Sequence, residues 1–183
     1  QLTSAEKDRL RGVKYQGIVC PSFLLKKPLS PYYVTNITDA GAPFTGVIEM
    51  TALVDKKNFD GLSLVYLPQY LTQEADYWNR TDEEIFEDCE LALDRMYPHF
   101  SRDQVVAKSI SRARKVLAIS TINYSTKSLP PLRTSLPNVF VLNSAQIANG
   151  TLNVNETIGV VKSNYEDLRH AIAEKRKVTA VAR

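Results

Sequence analysis

The chain has 183 residues, 44% hydrophobic and 23% charged, with 23 lysines and arginines against 20 aspartates and glutamates for a net charge of +3. That balance suits an ordinary folded core and excludes a disordered or collagen-like chain. Charge so small and so evenly spread gives no electrostatic case for nucleic-acid or membrane-surface binding. No apolar run approaches the about 18 residues of a membrane span and no leader pattern opens the chain, so neither is expected. Cys20 and Cys89 lack the spacing of a metal or redox motif, which points to a reduced, cytoplasmic protein.

Gln1 opens the chain without a methionine, so the sequence reads as a piece of a longer protein. LTSAEKDRLRG predicts a helix capped at Ser4 and ending near Gly12, with Leu2, Leu10 and Val13 as a thin apolar stripe. Four β-branched or aromatic runs follow between Val13 and Leu71, separated by KPLSP, AGAPFT and KKNFDG. Links this short leave no room for a crossover helix and predict a four-stranded antiparallel meander, with edges or bulges at Pro21 and Pro68. Val47, Glu49 and Thr51 alternate with Ile48, Met50 and Ala52, which predicts a mixed polar row opposite an apolar one. A sheet with one wet face can wall a pocket.

Thr81 followed by Asp82, Glu83 and Glu84 predicts a helix over 82–96, with Ile85, Phe86, Cys89, Leu93 and Met96 on its apolar face and Pro98 as its stop. Its carboxylates spread around the helix without a histidine among them, so they read as a solvated face rather than a metal site. The run over 105–121 reads as a strand whose Arg112 and Arg114 share one side, there either to hold an anionic group or to meet acidic neighbours. The Pro- and Ser-rich stretch 125–137 is a loop. His99 and His170 have no Ser or Cys arranged beside them, and no catalytic triad or metal site is assigned.

Leu136 to Ala173 is the stretch with the most chemistry. It predicts a turn at Pro137-Asn138, an apolar strand Val139–Leu142, a polar loop and a helix over about 155–177 capped by Asn153 or Asn155. Ile158, Val161, Tyr165, Leu168 and Ile172 form that helix's apolar stripe, with Tyr165 in the core, Glu166 pairing with His170 and AEKRKVTAVAR as a solvated end. The N-terminus of such a helix stabilises an anion or a polarised carbonyl.

The run NVFVLNSAQIANGTLNVNETI resembles the C-terminal flavin-contacting segment of the FAD-dependent amine oxidase, phytoene desaturase and protoporphyrinogen oxidase superfamily. YYVTNITDAGAPFTGVIEMTALV and YLPQYLTQEADYWNRTDEEIFEDC are similar to blocks of its substrate domain, and the three occur in the family's order. The resemblance implies an α+β fold: a mostly antiparallel sheet with flanking helices, serving as substrate domain over 1–130, and a strand-loop-helix of the FAD-binding domain over 131–183. It also implies FAD contacts at Asn143, Thr151, Asn153 and Asn155, and a small-molecule substrate walled by Tyr33, Asn36, Glu49 and Thr51, with catalytic residues left unassigned. The family's G-x-G-x-x-G turn is absent, and Asn149 to Asn155 stand where an acidic residue is usual. The chain is therefore expected to be the C-terminal portion of an oxidoreductase, inactive and a poor FAD binder alone, with a homodimer through the surface left by the missing cofactor domain. The alternative is a non-enzymatic α+β module for small-ligand binding or assembly.

Overall fold

An antiparallel sheet organises the larger of two compact units, Gln16–Val116, while Gln1–Tyr15 and Leu117–Arg183 make the other. These borders fall at 15/16 and 116/117, whereas the sequence expectation put a single border after residue 130. The computed structural model describes the backbone of residues 1–181 and the side chains of residues 1–171. The fold is α+β.

The sheet comprises β1 (Tyr15–Leu25), β2 (Val34–Asn36), β3 (Gly46–Glu49), β4 (Ser63–Tyr66), β5 (Gln69–Leu71) and β6 (Val105–Ala118). Hydrogen-bonded neighbours run β2-β3-β4-β1-β5, with β6 also on β1. Ser22 faces Tyr66 and Gly17 faces Leu71 in one unbroken register, and Leu67 N donates to Pro21 O between them at 2.9 Å. β4 and β5 are thus one interrupted strand along β1. Pro68 interrupts it because it has no N–H, and its carbonyl instead takes Thr45 N at 2.8 Å. The meander expectation is corrected at its first strand. β1 is long, is paired by β4, β5 and β6, and lies beside β4 rather than β2.

Helix α2 (Asp82–Met96) has the predicted bounds. Thr81 Oγ1 accepts from Glu84 N at 3.2 Å and Glu84 Oε2 accepts from Thr81 N at 2.9 Å, a reciprocal cap. Ile85, Phe86, Cys89, Ala92 and Leu93 are buried in one core with Val19, Phe23, Leu25 and Val65, residues of alternate positions on β1 and β4. Phe23 meets Phe86 edge to face at 5.7 Å. Each such side chain contributes about 1.5–3 kcal/mol of burial.

β6 carries a basic row that α2 matches. Lys108 Nζ lies 2.7 Å from Glu90 and 4.7 Å from the centre of the Phe86 ring, Arg112 pairs with Asp82, and Arg114 stacks 4.7 Å over Trp78. The periods agree: eight helical residues rise about 12 Å, and four strand residues about 13 Å. The acidic face is less solvated than expected. Asp82, Glu87, Asp88 and Glu90 are all ion-paired, and Glu90 is only 6% exposed. Among the described residues no three His, Cys, Asp or Glu side chains converge as metal ligands.

In the second unit, α1 (Ser4–Gly12) is capped by Thr3, one residue before the expected Ser4, because Glu6 then completes a capping box. Tyr124, in the short α3 (Tyr124–Lys127), is buried with Val13, Ala118 and Ala145 and donates to Ala145 O at 2.7 Å. Val139–Leu142 is not a sheet strand. It forms one arm of a loose hairpin about Asn138 (φ 65°), with Val141 N on Leu132 O at 2.9 Å and a single bridge from Arg133 to Phe140. The prolines on the facing arm remove the donors that a ladder needs. Helix α4 (Val154–Val181) turns its apolar stripe outward: Tyr165 is 55% exposed rather than core, and Val154, Ile158 and Val161 are exposed too. Glu166 pairs with Arg169 at 2.6 Å, one residue nearer than the expected His170. The expectations for the Ile172 side chain and the basic terminus lie outside the described side chains. Among the described residues no helix is long and apolar enough to cross a membrane.

Candidate functional site

The polar loop before α4 is built from its own hydrogen bonds. Asn143 caps a single turn, Ser144–Gln146, accepting from Ala145 N at 2.9 Å, while Gln146 Oε1 takes Asn143 N at 2.7 Å. Gln146 also donates to Val141 O at 2.7 Å, pinning the loop to the hairpin arm. Asn153 is the helix cap. Its Oδ1 accepts from Glu156 N at 2.8 Å, and its amide donates to Thr151 O and Oγ1 at 3.2 Å each. Thr151 and Asn153 therefore come together, Asn143 serves a separate turn, and Asn155 is exposed on the first turn of α4. The Glu156 carboxylate lies over Gly150, where an added Cβ would stand 2.8 Å from its Cδ. A negative group thus already occupies the helix entrance.

Strand alternation places Asn36 and Glu49 on opposite sides of the sheet, while Tyr33 lies just before β2 and Thr51 in the tight turn after β3. One face, beneath α2, is closed. The other is half-exposed and carries the row Val34, Ile48, Tyr66 and Ser22, aligned across four strands. Asn36 belongs to this half-exposed face, two residues from Val34 on β2. Glu49 belongs to the closed face and is 1% exposed. Its Oε2 accepts from Leu29 N at 3.0 Å and its Oε1 from Thr51 Oγ1 at 2.7 Å, while Thr51 Oγ1 accepts from Leu64 N at 3.2 Å. Glu49 and Thr51 are thus brought together as an internal strut that ties the connection after β1 to β3. Tyr33 is exposed beside β2, and its carbonyl takes Glu49 N at 2.8 Å.

No family model matches the chain, and no curated protein does. Solved structures do. Reduced UDP-galactopyranose mutase superposes with a TM-score of 0.52 at 15% identity, over 66% of this chain and 26% of that one. An oxidoreductase from Methanosarcina mazei superposes with a TM-score of 0.59 at 16% identity, over 86% of this chain and 36% of that one. The likeness is one of fold. This chain spans between a quarter and about a third of the length of the two enzymes it matches.

Within the shared fold, the half-exposed face holds side chains that the sequence reading passed over: Cys20 and Ser22 on β1, and Tyr66 and Tyr70 on the interrupted strand. The signal was the alternation in GIVCPSFLL and SLVYLPQY. The row read off Val47 to Ala52 instead ends early, because β3 stops at Glu49 and Met50–Ala52 is a tight helical turn. Burial pushes the Cys20 thiol up and takes the Cys89 thiol up to about 12, the opposite of what an activated cysteine needs.

Proposed function

We propose that this chain is the substrate-domain portion, with the last cofactor-contacting segment, of a cytoplasmic FAD-dependent oxidoreductase of the amine oxidase-like superfamily. The observation that carries this reading is the likeness of fold to an oxidoreductase over 86% of the chain, with 64% of that enzyme's length left outside the match. In this reading residues 1–130 wall a small-molecule substrate and residues 131–183 reach the flavin, and the chain is inactive alone for want of the dinucleotide-binding part.

The loop suits FAD at one edge only. The first-turn N–H groups of Val154 and Asn155 have no intrahelical acceptor, and Thr151, Asn153 and Asn155 add neutral polar groups beside them. The Glu156 carboxylate at the same entrance opposes a phosphate and tolerates a neutral, polarised carbonyl such as the flavin's pyrimidine edge presents. Asn143 would orient the loop beside it through its own turn. FAD held there would supply a hydride acceptor toward the substrate, or in its reduced form a nucleophile. Tyr33 and Asn36 are the wall residues that remain accessible, and Glu49 with Thr51 acts behind them by holding the sheet edge in place.

A second reading, an assembly module or homodimer, draws on the outward Val154, Ile158, Val161 and Tyr165 of α4, a patch of the kind that marks interaction sites. The site reading is tested in protein from the complete reading frame by Asn153→Ala. FAD affinity is expected to fall roughly tenfold, the worth of one good polar contact with its preorganisation. Unchanged affinity and an unchanged flavin spectrum would take the loop away from the cofactor.

A further inference from the structure

β6 is the longest strand of the sheet and stands at its edge. Ser22 Oγ donates to Ser109 O at 3.2 Å and Lys26 N to Gln104 O at 2.9 Å, so β6 runs antiparallel along β1. Among the described residues no strand pairs its other edge, and no amide of 105–116 meets a backbone acceptor outside the ladder. One carbonyl at the far end, Arg114 O, takes the Gln73 side chain. The opposite edge of the sheet is blunted by shortness, since β2 has 3 residues. β6 has 14, with neither a proline nor a glycine to interrupt it. Lys108, Arg112 and Arg114 on its α2 side are exposed, as are Ala107, Ser109 and Ser111 on the other. A long, open edge of this kind is a template for a further strand.

Charge says which strand. β6 carries Lys108, Arg112, Arg114 and Lys115 and no carboxylate. Glu90 and Asp82 reach Lys108 and Arg112 from α2, Arg114 is stacked on Trp78, and Lys115 is engaged within the protein. Glu90 and Asp82 lie over the sheet, whereas an added strand would lie beside β6, its side chains about 5 Å from those of β6 itself. A second copy paired through the same edge would set cation against cation or a neutral residue in every register, and never against a carboxylate. We infer that the outer edge of β6 over 105–116 takes an extended acidic segment of a partner protein by strand addition, with carboxylates at alternate positions beside Lys108, Arg112 and Arg114. The main-chain bonds supply affinity, and the cations that deter self-pairing select the partner. A nucleic acid would meet the same cations but leave the backbone donors and acceptors of the edge without a ladder. The edge is the same whether or not the parent protein carries a flavin.

The test is amide hydrogen exchange of protein from the complete reading frame, titrated with a short peptide alternating Glu and Val, its counterparts alternating Lys and Val or Glu and Pro, and oligothymidylate. The Glu-Val peptide is expected to slow alternate amides of 105–116 saturably, by at least about tenfold, and to bind more weakly as salt rises. The Glu-Pro peptide keeps the charge but lacks the donors, and it, the Lys-Val peptide and oligothymidylate are each expected to bind at least about tenfold more weakly. Lys108→Gln leaves Glu90 with Arg102 at 3.5 Å; that variant and, separately, Arg112→Gln are expected to weaken Glu-Val binding roughly threefold with the melting transition retained. Glu-Pro binding as tight as Glu-Val, tighter binding of Lys-Val or oligothymidylate, no slowed amide in 105–116, or Glu-Val binding unmoved by both variants would overturn the inference. So would amides of this edge already slow without peptide. If that slowing is independent of protein concentration, the protein's own chain covers the edge; if it grows with concentration, a second copy does.

Discussion

Glu6 holds the second unit's loop to its first helix through one carboxylate with four donors, Thr3 N and Oγ1 and Ser135 N and Oγ. The Ser135 hydroxyl first, and Thr3 next, lower its pKa from the ordinary 4.5 to about 2. A depressed carboxylate favours the folded form above its ordinary value, and that contribution fades as pH falls through the folded value of about 2. The Ser135 amide resonance is therefore expected to titrate near pH 2, and Glu6→Gln to remove that titration; a midpoint near 4.5 would show that the contact is not made. Glu49 poses the opposite case, a carboxylate spent inside the protein. Glu49→Leu should lose about 1–3 kcal/mol in urea denaturation, since it strands the Leu29 N–H, and Glu49→Gln distinctly less, because the amide oxygen still accepts. Equal losses would mean that packing, not the hydrogen bonds, sets its role. Glu49 looked like a wall residue in the sequence because strand alternation alone does not say which face a helix will cover.

At the scale of elements, α2 was legible to the residue. Its cap at Thr81, its apolar period and its stop at Pro98 are all local signals. Phe23→Ala, which removes the ring that meets Phe86, is expected to cost about 3–5 kcal/mol, and Thr81→Ala about 1 kcal/mol, both read from denaturant midpoints; a neutral Phe23→Ala would contradict the core assignment. Gly17 is a further pressure point. A Cβ there would stand 2.6 Å from the Trp78 ring and 2.8 Å from Arg114 O, so Gly17→Ala is expected to destabilise by about 1–3 kcal/mol and to shift the Trp78 fluorescence. The order of the strands was not legible, because β1 finds β4 and β6 across intervening strands and a helix, and short links constrain only sequential neighbours. The apolar run Val139–Leu142 shows the same limit: a strand needs a partner, and the proline-bearing arm opposite supplies only a bridge.

For the molecule as a whole, composition predicted an ordinary folded core and the resemblance implied an α+β fold, and the sheet with its covering helix is α+β. The resemblance to flavin enzymes finds a coarse counterpart in the shared fold of a mutase and an oxidoreductase much longer than this chain. The loop before α4 was legible as polar and helix-capping, with Asn153 as the cap, but its internal hydrogen bonds were not, since Gln146 and Asn143 look equally free in a string of polar letters. The outward Val154, Ile158, Val161 and Tyr165 of α4 reverse the usual rule that periodic apolar residues face their own core. The most direct measurement is the intact mass and visible absorption of the protein expressed from its complete reading frame. The account predicts a frame longer by a cofactor-binding segment and a yellow protein with flavin bands; a frame no longer than this chain whose product stays colourless after incubation with FAD would contradict it.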